Sequence, residues 1–277
     1  MKFLKWIIFS ISCFIFFEGF CFSSVSHLNN YDTFCSNALN SKMFHQFRRL
    51  NKLKTIVDTV TYEQGFLYLS HIEKNYPFLI KDFPSFFKND EVGSPIRFTY
   101  SYGTFCPTTL RYIKTAGDIQ SLFPVEQPLT IVEIGGGYGG LCRILHELLP
   151  IKKYIIIDLP YALQLTKKYL DYFHLKNVEF LSFENLSQDI FCDLLISNYA
   201  FSECTKKYQK LYFEKVLQHA NSGYMICNFI SNAFQVNSLT KEQTFHLFQQ
   251  HQIPYQIYPE IPRTHPQNFL MTWGEKL

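Results

Sequence analysis

The sequence predicts an α/β fold in which a mainly parallel sheet of seven strands follows a mainly helical N-terminal cap. Two observations predict it. From Leu129 onward, short apolar runs alternate with longer stretches of helical periodicity, which is the pattern of βαβ units. Before Leu129, apolar residues recur at helical spacing or lie in loops. We therefore divide the chain into a signal-like or anchor segment (residues 1–24), a helical cap (25–128) and a sheet domain (129–277).

The cap carries two amphipathic stretches, followed by a region rich in Pro, Phe and Gly up to Gly103. The apolar residues in the two stretches recur every three or four positions, as on one face of a helix. We expect the cap to form a lid over a substrate, with Tyr102 and Arg111 as candidate substrate contacts. The first stretch contains Phe44, Phe47, Leu50, Leu53 and Val57, and the second contains Phe66, Leu69, Ile72 and Tyr76.

In the sheet domain, strands and helices alternate until the last two strands, which only a loop connects. Thr240 and Gln243 form a capping-box pattern, which supports a helix start there. The predicted strands are Leu129–Ile134, Tyr154–Asp158, Val178–Phe183, Asp193–Ser197, Tyr224–Phe229, Tyr255–Pro259 and Asn268–Trp273. The predicted helices are Gly139–Leu149, Tyr161–Phe173, Thr205–Ala220 and Thr240–His251, with a short turn or helix around Glu184–Ile190.

A glycine-rich run, VEIGGGYGG, lies between the first strand and its helix. Such a tight turn needs residues that accept positive φ and leave room for a ligand at the helix N-terminus. The spacing fits two fingerprints. Gly135, Gly137 and Gly140 match the dinucleotide pattern GxGxxG, while Glu133, Gly135, Gly137 and Gly139 match the pattern E/D-x-G-x-G-x-G of S-adenosylmethionine sites. Both fingerprints predict a Rossmann-like nucleotide site.

Two carboxylates bear on the choice of ligand. Asp158 ends the second strand, where an acidic side chain takes up ribose hydroxyls in both ligand classes. Glu133 would repel a dinucleotide pyrophosphate, but it suits the methionyl end of S-adenosylmethionine, which carries an ammonium near a sulfonium. A loop alone between the last two strands, with the seventh strand antiparallel beside the fifth, is typical of the class I methyltransferase sheet. An NAD(P)-dependent oxidoreductase and a non-catalytic binding protein that retains the fold remain the alternatives.

The fourth strand ends in a polar and aromatic loop, within the run DLLISNYAFSEC. Ligands of open α/β sheets lie outside the carboxyl ends of the strands, so we expect Asn198 and Tyr199 to contact the cofactor. Two residues compete as the base that removes the acceptor proton, Glu203 in this loop and His265 before the last strand. Glu203 could also hold a divalent metal together with Asp193 or another acid. Apart from this alternative, we predict no metal ligands.

The composition limits the classes of partner that the chain is expected to bind. The net charge is +3 and the charged residues are interspersed, without the basic stripe that neutralises a phosphate backbone. We therefore expect a small-molecule acceptor and no nucleic acid, and leave the oligomeric state open. The cysteines beyond residue 24 form no CxxC pair and no Cys/His cluster at zinc spacing. This pattern argues against a cysteine metal site and a disulfide framework.

The first residues have the pattern of a signal peptide. Lys2 and Lys5 precede an uncharged apolar run from Trp6 to Phe17, and small residues follow near Ser24. This segment predicts export, or membrane association through residues 1–24. S-adenosylmethionine is made in the cytosol, so the cofactor predicts a cytoplasmic location instead, and the two signals conflict.

Beyond these motifs, the chain from Thr108 to its C-terminus resembles a family of bacterial sugar O-methyltransferases. The resemblance implies S-adenosylmethionine as cofactor and a sugar hydroxyl as acceptor. The segment IDLP after the second strand is similar to the DLP of small-molecule O-methyltransferases, in which the Asp holds the ribose. The runs that carry the resemblance are TTLRYIKTAGDI, IVEIGGGYGGLCRIL, YIIIDLPYAL, DLLISNYAFSE and PEIPRTHPQNFLMTWG.

Overall fold

The computed structural model describes residues 30–50, 56–123, 125, 127–229, 231 and 236–274. The signal-like segment, residues 1–24, and Leu53 of the first amphipathic stretch lie outside the described residues. Within the described part, no helix is both long and apolar enough to cross a membrane.

Short helices and one hairpin build the cap. Its elements are α1 Tyr31–Ala38, α2 Ser41–Phe44, α3 Tyr62–Asn75, α4 Phe83–Phe86, β1 Phe98–Tyr100, β2 Gly103–Phe105 and α5 Pro107–Leu122, with 3₁₀ turns at Phe47–Arg49, Pro77–Asp82 and Phe87–Glu91. The second amphipathic stretch lies in α3, which starts with a capping box of Thr61 and Gln64. Helix α5 packs against α3 on one side and against the first helix of the sheet domain on the other.

The cap differs from the prediction in two respects. The first amphipathic stretch is not one helix: α2 ends at Phe44, and the amide of Arg48 bonds to the carbonyl of Gly93 (3.1 Å) instead of continuing a helix. The hairpin of β1 and β2 was not predicted, because aromatic packing across distant residues stabilises it. The Phe105 ring stacks on Phe87, with ring centroids 3.9 Å apart.

A seven-stranded sheet forms the second part of the chain, with strand order β5-β4-β3-β6-β7-β9-β8. Strands β3 to β7 are parallel, and β9 is antiparallel to both β7 and β8. A mainly parallel sheet of seven strands with one antiparallel strand is the predicted arrangement, and it confirms the predicted fold class. The strands are β3 Leu129–Ile134, β4 Ile151–Asp158, β5 Val178–Ser182, β6 Cys192–Asn198, β7 Ala220–Cys227, β8 Gln256–Pro259 and β9 Phe269–Trp273.

Helices cover both faces of the sheet, so the central strands are buried and consist largely of Ile, Leu and Val. The predicted helix at 205–220 ends at Lys215, because β7 begins at Ala220 rather than at Tyr224 as predicted. The capping box of Thr240 and Gln243 is present. The helices are α6 Gly140–Leu148, α7 Pro160–Tyr172, α8 Ala200–Glu203, α9 Lys206–Lys215 and α10 Lys241–Gln250, with 3₁₀ turns at Phe183–Asn185 and Leu217–His219.

A buried charged network joins distant parts of the cap, and its neighbour Asn89 connects it to the sheet domain. The Arg48 guanidinium donates to both carboxylate oxygens of Asp58 (2.7 and 2.9 Å) and to Asp90 (3.1 Å). Next to Asp90, the Asn89 amide donates to the carbonyl of Gly140 (2.9 Å), the first residue of α6. The cap is therefore anchored directly at the end of the glycine loop.

Candidate functional site

A cavity of about 1080 Å³ lies at the carboxyl ends of β3, β4 and β6, under the cap. This is where an open α/β sheet binds ligands. Cap residues 56, 57, 59, 60 and 64 also line it. The structure brings nine of the predicted site residues to this cavity: Arg111, Glu133, Gly135, Gly137, Asp158, Asn198, Tyr199, Glu203 and His265.

The glycine loop forms the floor of the cavity, and its glycines serve different purposes. Gly135, Gly137 and Gly139 all have positive φ (79°, 56° and 93°), which L side chains rarely adopt. A Cβ on Gly135 would lie 2.2 Å from Cβ of Ala200, so this glycine allows close packing. A Cβ on Gly137 would meet only the Tyr112 hydroxyl, at 4.0 Å. Gly137 is thus the position that leaves open space for a ligand.

Two predicted site residues lie elsewhere. Gly139, predicted to bind cofactor, precedes α6, and a Cβ there would meet Leu170 and Thr166 of α7 at 3.0 Å, so this glycine allows helix packing. Tyr102, predicted to contact substrate, lies in the turn of the cap hairpin and packs edge-on against Phe83. Neither residue lines the cavity. Their predicted roles therefore have no support in the geometry.

Glu133 and Asp158 place two carboxylates beside the glycine loop. Burial raises the pKa of Glu133 to about 8, although a hydrogen bond from the Tyr154 hydroxyl (2.8 Å) opposes the shift. Burial also raises the pKa of Asp158 to about 7, against hydrogen bonds from the amides of Leu159 (2.7 Å) and of the glycine loop. Both groups can ionise when a cationic or hydrogen-bonding ligand replaces the lost water.

Asn198 and Tyr199 follow β6 at the cavity wall. Oδ1 of Asn198 is buried and has no hydrogen-bond partner within the described residues, so it is available to a ligand donor. Tyr199 has φ 68°, uncommon for a non-glycine residue. Its backbone amide donates to Ile226 (2.7 Å) and its hydroxyl donates to Glu260. Contacts with two distant segments thus hold Tyr199 in this conformation.

The two candidate bases differ in environment. Glu203 is half-buried, and the Asn228 amide donates to its Oε1 (2.8 Å). Burial raises the pKa of this carboxyl. His265 is exposed, and its Nδ1 accepts from the amide of Gln267 (3.3 Å). Both line the cavity, but Glu203 is the more enclosed.

The suggested metal site of Glu203 with Asp193 is wrong. Asp193 lies at the start of β6, where it accepts from the amides of Thr130 (2.7 Å) and Asn221 (3.3 Å). Glu203 follows the other end of that strand. Across the described residues, no group of three or more His, Cys, Asp or Glu side chains is arranged to hold a metal ion.

Arg111 lies on α5 at the boundary between cap and sheet domain. Among the described lining residues it is the only Arg or Lys. Arg111 is half-buried, and its Nη1 donates a long hydrogen bond to the Thr59 hydroxyl (3.4 Å). Its guanidinium lies 5.6 Å from the centroid of the Tyr112 ring. The predicted substrate contact is therefore at the cavity wall.

Glu260, in the loop between β8 and β9, was missed in the sequence. Its carboxylate accepts from Tyr199, from the Thr264 amide and hydroxyl (2.9 and 2.7 Å) and from the Asn268 amide (3.0 Å). Glu260 thereby shapes the cavity wall that Tyr199, Thr264 and Asn268 form. The only signal for Glu260 in the sequence was its acidic side chain in a loop that is otherwise rich in proline and polar residues.

Comparison with family models and with curated proteins gave no match. Solved structures give distant similarities. A SAM-dependent methyltransferase from Aquifex aeolicus is 15% identical over 57% of this chain and 88% of its own, with a TM-score of 0.45. An rRNA methylase from Streptococcus thermophilus is 18% identical over 59% and 94%, with a TM-score of 0.42. An O-methyltransferase family 2 protein from Planctomyces limnophilus is 12% identical over 60% and 58%, with a TM-score of 0.42.

Proposed function

We propose that this chain is an S-adenosylmethionine-dependent O-methyltransferase that acts on a hydroxyl of a sugar or a similar small molecule. One observation carries the cofactor assignment: the open space at Gly137 belongs to the cavity that the carboxylates of Glu133 and Asp158, on adjacent parallel strands, also line. When bound, the cofactor supplies a methyl group on a positively charged sulfur, ready for in-line displacement.

The lining residues suit the parts of this cofactor. Asp158 would accept the ribose hydroxyls, and the apolar side chains of Leu159 and Phe183 would contact the adenine. Glu133 and Oδ1 of Asn198 would face the methionyl ammonium, which needs hydrogen-bond acceptors. An ionised Glu133 would repel a pyrophosphate and attract the methionyl ammonium, and the antiparallel strand β9 is atypical of dehydrogenases. Both features weigh against the oxidoreductase alternative.

The acceptor side of the cavity is polar and mostly uncharged. The Asn268 amide nitrogen donates to Glu260 (3.0 Å) and Thr264 (2.9 Å), which orients the group and leaves its Oδ1 buried without a partner in the described chain. Asn268 is only 7% exposed, so this oxygen gains little from bulk water. A hydroxyl of a polyhydroxylated acceptor would supply the missing donor. This observation supports a sugar-like molecule.

A sugar hydroxyl is a weak nucleophile and needs a base within hydrogen-bond reach. We assign this role to Glu203, because it is half-buried at the cavity wall and Asn228 orients one of its oxygens. Burial raises the pKa of Glu203, which makes its ionised carboxylate a stronger base. His265 remains the second candidate at the mouth of the cavity. Arg111 would contact the acceptor from the cap side.

Calorimetry with S-adenosylhomocysteine and with NADH tests the cofactor. We expect micromolar binding of the first, about 7 to 8 kcal/mol, and none of the second. NADH binding without S-adenosylhomocysteine binding would overturn the proposal. Transfer of a labelled methyl group to a panel of sugars tests the acceptor. Cofactor binding without transfer to any sugar would refute the sugar assignment and leave a non-catalytic binding protein or another acceptor.

A further inference from the structure

Helix α1, the first described element, packs against α7 and reaches the cavity through its first residue. Tyr31, its first residue, lines the cavity and is only 4% exposed. Burial is the main cause that raises the pKa of Tyr31, and electrostatic interactions with Cys35 and Asp158 raise it further. A segment far from the glycine loop in sequence therefore lines the same cavity as the carboxylate that would bind the ribose.

Asp32 fastens α1 to the sheet domain. Its Oδ1 accepts from the backbone amides of Tyr161 (2.7 Å) and Ala162 (3.3 Å) in the first turn of α7. The residue before α7, Leu159, has no side chain that could cap these amides. Asp32 supplies the cap from a distant part of the chain, and its charge also suits the positive end of the helix dipole.

A second contact lies farther along α7. The Lys168 ammonium donates to the carbonyl of Leu39 (2.8 Å) and lies 4.5 Å from the centroid of the Phe44 ring. Both ends of the segment from Tyr31 to Phe44 are therefore held against α7, which starts immediately after Asp158 and Leu159. Movement of this segment would open the wall beside Asp158.

We propose that α1 is part of the cofactor site, with Tyr31 forming a wall of the nucleoside pocket beside Asp158 and Asp32 holding that wall in place. This inference rests on the proposed cofactor. It assigns separate cap residues to the site: Tyr31 would enclose the nucleoside, and residues 56, 57, 59, 60 and 64 and Arg111 also line the cavity. Since coupling between binding and docking is reciprocal, a bound nucleoside should also stabilise the docked helix.

Binding measurements on full-length variants test the wall. We expect Tyr31→Ala to weaken binding of both S-adenosylhomocysteine and adenosine by about tenfold or more, because apolar contact is lost. Asp32→Ala should weaken both by about threefold or more through loss of the cap. Equal losses for the two ligands place the contact at the nucleoside. Losses confined to S-adenosylhomocysteine would overturn the proposal.

Two matched controls accompany these variants. Thr33→Ala changes an exposed residue of the same helix, and Asp171→Ala removes an exposed carboxylate at the other end of α7. Both should bind within about twofold of the parent. If Tyr31→Ala and Asp32→Ala also bind like the parent, α1 is not part of the site. If the parent itself does not bind S-adenosylhomocysteine, the proposed function fails instead.

Hydrogen exchange on the parent protein gives an answer even where a variant does not fold. Adding saturating S-adenosylhomocysteine should slow amide exchange in residues 31–38 and in the first turn of α7. Adenosine alone should give the same protection. Unchanged exchange in residues 31–38 with the ligand bound would overturn the proposal.

Discussion

The hydroxyl of Tyr154 on β4 donates a hydrogen bond of 2.8 Å to Oε2 of Glu133 on the neighbouring strand β3. Both residues are buried, and Glu133 is only 2% exposed. One neutral donor does not replace the lost hydration of a carboxylate, so the pKa of Glu133 rises to about 8. A ligand with a positive charge near this oxygen would favour the ionised form.

Cofactor binding should therefore tighten as pH rises. Burial raises the pKa of Asp158 to about 7 and that of Glu133 to about 8, so both carboxyls are largely protonated below about pH 6 in the free protein. The ligand selects the ionised forms. We expect the affinity for S-adenosylhomocysteine to rise by about tenfold or more between about pH 6 and pH 8, with proton release on binding. Calorimetry in two buffers measures this, and a flat profile would contradict contact with these carboxylates.

Gly137→Val should abolish cofactor binding while the domain stays folded. A branched side chain would fill the open space above the loop and resist the φ of 56°. Calorimetry measures binding and circular dichroism checks the fold. Gly137→Ala is the graded control, expected to bind more weakly than the parent but better than the valine variant. Normal binding by Gly137→Val would mean that the loop is not the site.

Asp158→Ala should weaken binding of S-adenosylhomocysteine by about 1.5 to 3 kcal/mol, the usual worth of hydrogen bonds to a charged group. Asp158 is half-buried and its pKa is raised to about 7, so its removal should affect the melting temperature little. Asp158→Asn keeps the volume and reports the loss of charge alone. An unchanged dissociation constant would place the ribose elsewhere.

Glu203→Gln should slow single-turnover methyl transfer by about 100- to 10,000-fold at saturating cofactor, once an acceptor is identified. Cofactor binding should persist, because the assigned role concerns the acceptor proton. His265→Asn is the competing variant and should have the smaller effect. A loss confined to His265→Asn would transfer the role of base to that residue. If both variants stay within about threefold of the parent rate, neither residue is the base.

Arg48→Met should destabilise the fold by about 3 to 5 kcal/mol, because it leaves the buried carboxylates of Asp58 and Asp90 without their cation. The adjacent Arg49 is a matched control. It is exposed and its Nε donates to the carbonyl of Ser94 (2.6 Å), so Arg49→Met should cost less than about 1 kcal/mol. Urea unfolding measures both. Equal effects would show that the network does not stabilise the cap.

The sequence by itself determined the seven-stranded sheet, its antiparallel last strand and the glycine loop beside Asp158. These features depend on the periodicity of apolar residues and on the spacing of motif residues within short segments. Both can be seen directly in the sequence. The rule that ligands lie at the carboxyl ends of parallel strands then brought Asn198, Tyr199 and Glu203 to the same site.

Only the tertiary structure decided which glycine faces the cavity and which distant residues complete it. Gly137 and Gly139 share the same residue type and a positive φ, and they differ only in what surrounds a Cβ at each position. Glu260 meets Tyr199 from 61 residues away, and Asp32 caps α7 across 129 residues. Such contacts depend on how whole elements pack, and no local pattern in the chain encodes a partner at that separation.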